Sequence, residues 1–407
     1  MNHPIIKFFT SLKLTVVLLG LGMALVFFGT LDQVHTGIWE TQRRYFESLF
    51  VIWSYPEQWW AYDKLGFIRL PMPGGYLLGG FLLVNLVVSH IYRFKWTWKK
   101  SGIFLVHVGL ILLLLSEFLT DVLAEESQMA IQEGGRTYFS ENFRDNELVF
   151  IDRSHPEYDS VTRIPASKLA RSSDISHPDL PFSIRTVSFF PNSFIGRKGQ
   201  NPSFPTPPVT RGIGAPRGAA EDLVVGPRAV TYSENEVNTA TAMVEIVDES
   251  GTSMGTWLVS NLFDNRFPTQ TFQAGGTTYE IALRFRRYYH DFGLALKDFR
   301  FDRYPGTEIP KNFSSDVTIL DPALPNAERS YLIYMNHPLR YGGLTFYQAS
   351  YDPETEQTTI LQVVRNPGWL LPYFSVLLMG AGMTVQFGMH LFRFSSRRKR
   401  EAVPQPA

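Results

Sequence analysis

Four apolar blocks decide most of what this chain can become. They run from about Leu14 to Leu31, Tyr76 to Tyr92, Ile103 to Leu119 and Trp369 to Phe392. A bilayer core of roughly 30 Å needs about 20 apolar residues as helix. A helix suits that solvent because it satisfies its own backbone hydrogen bonds. Each block is about the required length, so the sequence predicts four membrane-spanning helices. The first block follows Lys7 and Lys13 and could pass for a signal peptide. It is long for such a core and no A-x-A site follows in LDQVHTG, so it reads as a retained anchor.

Orientation follows from Lys and Arg near the ends of the blocks. The turn between the second and third blocks holds Arg93, Lys95, Lys99 and Lys100, and the tail after the fourth reads RFSSRRKR. Both mark the cytoplasmic side, as does the Lys7/Lys13 end. Four crossings put both termini on one side, so the three signals agree. The expectation is a multi-pass protein of the cell inner or plasma membrane with both termini cytoplasmic.

Between the third and fourth blocks the apolar signal changes period. TAMVEIVD, GTWLVSN, TYEIALRFRRYYH, SSDVTILD and QTTILQVVR are short β-branched or alternating runs, separated by Gly, Pro, Asn and Asp. That is the pattern of antiparallel strands and turns. The fold class is therefore a membrane protein: four transmembrane α-helices plus a large, mostly β extracytoplasmic domain, β-sandwich-like in one or two lobes. The segments are 1–31, the N-terminus and first span; 32–73, an outer loop; 74–121, the hairpin of spans two and three; 122–366, the β domain; 367–393, the fourth span; and 394–407, a basic cytoplasmic tail. Within the β domain, residues near 191–236 are rich in Pro and Gly and read as a long surface loop. In the outer loop, FESLFVIWSYPEQWWAYDKLG reads as a short interfacial helix lying on membrane lipid, with a pocket for a flat ligand as the sharper alternative.

Composition excludes several chemistries. Lys+Arg and Asp+Glu are both 38, so net charge gives no argument for nucleic acid. There are no cysteines, hence no disulfide, thiolate metal site or Cys-x-x-Cys-His attachment site. The sequence contains no GxxxxGK[ST] or HExxH. His155, His177, His290 and His337 are scattered through the β region without metal-ligand spacing and read as surface or turn residues.

The remaining histidines carry the functional signal. His107 lies inside the third block, roughly 7 Å past Gly102 on the helical rise. An ionisable group inside a span is costly and marks a functional position. Imidazole is a common axial ligand of haem iron. Two readings stand for His107: an axial ligand, or a histidine hydrogen-bonded to a neighbouring helix. His90 ends the second block and His390 the fourth, so all three fall in the same leaflet, where His90 and His390 also read as interfacial side chains.

Several segments in order resemble the ResB family, a partner subunit of System II cytochrome c biogenesis. They are FFTSLKLTVVLLGLGMALVFFGT, GIFLVHVGLILLL, RFDRYPGTEIPKNFSSDVTI, YMNHPLRYGGLTFYQASYD and NPGWLLPYFSVLLMGAGM. The fourth, with its N-x-P-L and G-x-x-F-Y-Q pattern, is the most specific. Two features depart from the family: His337 in place of an acidic residue, and the Pro/Gly-rich insertion. The resemblance implies a subunit that works with a CcsA-like membrane protein, moves haem b across the membrane and supports its covalent attachment to apocytochrome c. It also implies thiol-reducing partner proteins nearby. His107 would be the axial haem-iron ligand, with His90 and then His390 as weaker candidates. The chain lacks a WGxxWxWD motif and so would be the non-catalytic or accessory half of a holocytochrome c synthase. The alternative is a haem-bearing or scaffold subunit of a membrane electron-transfer complex.

Overall fold

A computed structural model describes residues 3–171, 173–197, 204–212, 223–231, 236–263, 267–307, 310–323, 329–353 and 355–401. The chain divides into two units. One is mainly helical, built from Met1–Glu125 and Asn366–Ala407; the other is β, built from Glu126–Thr231 and Asn235–Arg365.

The helical unit contains four helices long and apolar enough to cross a membrane. The first span is Leu12–Thr36, the second Gly75–Tyr92, the third Ser101–Leu123 and the fourth Leu371–Glu401. A 3-10 turn, Trp98–Lys100, leads into the third. Third and fourth spans pack along a seam of small residues. Gly102, Gly109 and Ser116 recur every seventh position and are buried. A Cβ on Gly102 would lie 2.5 Å from Gly382 O, and one on Gly109 would lie 2.6 Å from Met379 Cγ. In lipid, close backbone approach of this kind replaces the hydrophobic effect as the source of helix pairing. Asn85 ties the second span to the chain entering the first. Its amide donates to Phe9 O at 2.7 Å, and its carbonyl accepts from Thr15 Oγ1 at 2.7 Å.

The interfacial helix expected in FESLFVIWSYPEQWWAYDKLG is not formed. That stretch holds β1 (Phe50–Ser54), which pairs antiparallel with β2 (Arg69–Pro73), and a single helical turn, Tyr62–Leu65. Alternation explains the outcome: Val51 and Trp53 are buried while Phe50 and Ile52 are exposed, a period of two. The aromatic rings of the loop fill one another's space. Trp53 lies 4.8 Å from Phe28 and 6.3 Å from Trp59 between ring centres. The Tyr45 hydroxyl donates to Asp32 at 2.5 Å, and Arg44 lies 3.5 Å from the same carboxylate. Burial, and then the hydrogen bond to Asp32, push the Tyr45 phenol above its ordinary range.

The β unit is two lobes that share two long strands, β4 (Arg136–Asp152) and β13 (Thr277–Arg303). In the first lobe, β6 (Asp174–Ser176), β7 (Phe182–Phe190), β10 (Thr241–Asp248) and β11 (Ser253–Ser260) form one sheet in the order β11-β10-β7-β6. It packs on the early part of β13 and the late part of β4, flanked by β12 (Gln270–Ala274) and β5 (Ser160–Pro165). Phe150, Ile184, Val244, Trp257, Ile281 and Leu283 meet in that core. This is a β-sandwich, with alternate residues of each strand facing inward.

The second lobe is a nearly closed sheet. Its order is β15 (Arg329–Tyr334), β14 (Pro310–Leu320), β13, β4, β3 (Glu125–Gln132), β18 (Thr358–Arg365), β17 (Leu344–Tyr351) and β16 (Leu339–Tyr341). A tight turn, bridged between Tyr334 and His337, leads from β15 toward β16. Met129, Leu294, Val317, Ile333, Phe346 and Leu361 fill the inside.

Within the 191–236 stretch, β8 (Ser193–Arg197) and β9 (Leu223–Pro227) form an antiparallel ladder. Val225 of β9 packs with Met243 and Leu258 on the outer face of the sandwich, which buries β10 on both sides. Residues 198–203, 213–222 and 232–235 of that stretch lie outside the described residues.

Candidate functional site

The second and third spans are joined by a short turn, and this alone sets His90 beside His107. Their ring centres are 4.9 Å apart, inclined at 41°. His90 stacks on Phe94 at 4.9 Å, one helical turn later, and lies 5.9 Å from Phe104. Phe104 lies 5.6 Å from Phe94 and 4.8 Å from Trp96. An aromatic cluster thus stands beside His90.

Each imidazole has a distinct hydrogen-bonding state. His107 Nδ1 lies 2.7 Å from Ile103 O, one turn back on the same helix. A carbonyl accepts only, so Nδ1 carries a proton, and in the neutral ring Nε2 keeps its lone pair. The same arrangement orients histidines that bind metals. His90 Nε2 is buried and has no hydrogen-bond partner among the described residues. An unpaired polar atom in such a place costs free energy unless something else engages it.

His390 is placed differently. Its Nε2 is 3.0 Å from Gln386 Nε2, one turn earlier on the fourth span, so the amide donates to that ring nitrogen. No ring contact joins it to the other two. Among the described residues, no group of three or more His, Asp or Glu is placed to hold a metal ion.

The geometry fits one axial imidazole better than two. Axial ligands of one iron stand on opposite faces of the macrocycle. Rings whose centres are 4.9 Å apart touch each other and leave no slab between them, since a flat ring needs about 3.5 Å to each face. His107, whose Nδ1 is engaged by Ile103 O, is the better placed of the two for a single ligand, with the aromatic cluster on the His90 side. Phe94 and Phe104 are absent from the sequence reading of the site. Their spacing, four after His90 and three before His107, was the available signal.

The motifs of the β unit have structural explanations. Tyr341-Gly342-Gly343 turns β16 into β17 with φ of +57° and +77° at the two glycines. Gln348 accepts from Ser315 Oγ at 2.6 Å and donates to Thr359 Oγ1 at 3.0 Å, beside the register shift in β17. His337 is stacked between Tyr331 and Tyr334 at ring-centre distances of 5.4 and 4.6 Å, and its Nε2 lies 3.1 Å from Tyr331 Oη.

Comparison with known proteins gives two matches. Residues 246–359 match the model of the ResB-like family. A segment of 92 residues is 39% identical to Protein NrfI of Wolinella succinogenes, covering 23% of this chain and 10% of that protein. The chain therefore spans about a tenth of the length of the curated relative it matches.

Proposed function

We propose, from the match of residues 246–359 to the ResB-like family, that this chain is a membrane subunit of cytochrome c biogenesis that handles haem through His107. One observation carries the reading: the Nδ1 contact with Ile103 O leaves the Nε2 of an intramembrane imidazole available as a ligand. Haem is cargo here, and its iron would take that nitrogen as one axial ligand.

The rest of the proposal concerns what the chain's own residues do. Ile103 fixes the ring orientation of His107. Phe94 and Phe104 offer flat apolar surface beside the neighbouring His90. His90 stands close enough to exchange with His107 as ligand but not to share the iron with it. The second axial ligand then comes from another membrane protein, for which a CcsA-like partner is the natural candidate. The basic turn at Arg93–Lys100 and the basic tail support a reading in which this site lies in the cytoplasmic leaflet and the segment between the third and fourth spans lies outside, where an apocytochrome c would be met.

The test is an absorption spectrum of the chain purified with its membrane partners, compared for wild type, His107→Ala and His90→Ala. A reduced b-type α band that is lost in His107→Ala and retained in His90→Ala is the expected result. A band that survives His107→Ala unchanged refutes the assignment.

A further inference from the structure

The hairpin of β1 and β2 is apolar on both faces. Val51, Trp53 and Met72 point inward and are buried with Leu18, Leu25 and Leu78 of the first two spans. On the other face Phe50 stands opposite Pro73, Ile52 opposite Pro71 and Ser54 opposite Arg69. Phe50 is 72% exposed and Ile52 54%. An antiparallel pair with one face in water alternates apolar and polar residues. This one turns polar only at its far end, at Ser54 and Arg69.

The height of that face follows from the spans. Asn85 of the second span bonds to Thr15 of the first. Gly75 lies ten residues from Asn85 toward the hairpin, a rise of roughly 15 Å. The same rise from Thr15 reaches Leu25, so the first span runs on to Thr36 past the end of the second. The hairpin fills that step. Trp53 lies against Phe28, and a Cβ on Gly29 would lie 3.5 Å from the rings of Tyr45 and Phe46. Gly74 N donates to Leu49 O at 2.8 Å and Tyr76 N to Ser48 O at 3.2 Å, which pins the start of β1 to the first turn of the second span.

The second span has 18 residues, so it rises about 27 Å from Gly75 to Tyr92, where the basic turn begins. The hydrocarbon core is roughly 30 Å thick. The Phe50 and Pro73 end of the hairpin therefore sits at the hydrocarbon edge. Ile52 and then Arg69 follow outward at about 3.3 Å per residue, through a headgroup layer of about 5–8 Å. A strand edge beside lipid is costly because its carbonyls lack water. Arg44 answers this at Ile52: its Nη2 donates to Ile52 O at 2.7 Å.

We propose that the outer face of this hairpin is seated in the leaflet opposite the basic Arg93–Lys100 turn, with Phe50 and Ile52 against phospholipid acyl chains and Arg69 toward the phosphates. Surfaces graded from apolar to cationic bind at the membrane interface, and a guanidinium matches phosphate. Level decides the occupant: side chains that begin at the hydrocarbon edge of a span meet lipid. The proposal rests on the spans and not on haem or His107.

The chain has no cysteine, so single cysteines carry a nitroxide without background. Phe50→Cys, Ile52→Cys, Arg69→Cys and Asp63→Cys are spin-labelled in the full-length chain in phospholipid nanodiscs; Asp63 is an exposed charged position between the two strands. Power-saturation EPR compares access of oxygen, which concentrates in lipid, with access of a water-soluble nickel chelate. The ratio of oxygen to nickel access should fall in the order Phe50, Ile52, Arg69, and at Phe50 should exceed that at Asp63 severalfold. It should stay high at Phe50 and Ile52 when the chain is purified with its membrane partners. Nickel access at Phe50 and Ile52 equal to that at Asp63, a reversed order, or loss of oxygen access in the presence of partners overturns the proposal.

Discussion

Gly342 and Gly343 share a turn and a backbone conformation, yet alanine in the two places should behave differently. Both have positive φ, +57° and +77°, where an added Cβ is strained. That strain alone is about 1–2 kcal/mol. At Gly343 a Cβ meets nothing within 4 Å. At Gly342 it would overlap Phe292 Cε1, with Cδ1 and Cζ both at 3.2 Å. Phe292 cannot yield easily, because it is 7% exposed and its ring packs 4.8 Å from Tyr341 and 6.1 Å from Phe346. Overpacking of that kind adds about 1–3 kcal/mol. Gly343→Ala should therefore cost only the strain, and Gly342→Ala roughly 2–5 kcal/mol in all. For a domain of this size 1 kcal/mol moves the midpoint by about 2–4 °C. Thermal unfolding of both variants in one detergent should place Gly342→Ala some 2–12 °C below Gly343→Ala, from the overpacking difference alone. Adding Phe292→Leu to Gly342→Ala should recover much of the steric part. Equal shifts for the two single variants, or a larger loss at Gly343, would show that Phe292 does not hold the turn as described.

Three other outcomes follow from the same coordinates. Glu147→Gln leaves Arg284 buried without its carboxylate and should cost about 3–5 kcal/mol, whereas Glu147→Leu with Arg284→Met should regain most of it in chemical denaturation. Gly109→Leu forces the third span away from Met379 and Ser375 and should lower the stability of the helical unit, while Gly20→Leu, whose Cβ meets nothing within 4 Å, should leave the melting curve unchanged. Burial pushes the His290 imidazole below its ordinary value, partly offset by Asp291, so the unfolded chain binds the proton more readily. Stability is then full above pH about 6.5 and falls as pH drops through the window beneath it, and His290→Gln should flatten that slope in pH-resolved unfolding.

The spans were legible because length and apolarity are sufficient cause for a helix in lipid; each block lies within or closely overlaps the helix that forms. The strands were legible wherever one face is buried, as in Thr359, Leu361 and Val363 of β18. The outer loop misled because its aromatic density suggested an amphipathic helix, while the alternation of Phe50, Val51, Ile52 and Trp53 is a strand period. At the candidate site, the nearness of His90 and His107 followed from a short turn between antiparallel helices. The Ile103 contact also lay in the sequence, four residues before His107. The Gln386 contact of His390 lay in the sequence in the same way, four residues earlier on its own helix.

The sharing of β4 and β13 between two lobes also fixes the order of assembly. Phe150 of β4 must wait for Ile281 of β13, and Thr137 for Leu294, across well over a hundred intervening residues. Closing a loop of that length is slow, and its reward arrives late. Until the early part of β13 has been synthesised neither lobe can close, so the early strands spend that interval with bare edges. A chain cut short before Gly293 would hold every residue of the first-lobe core, which ends at Leu283, but would lack most of the second. The first lobe can therefore close before the second.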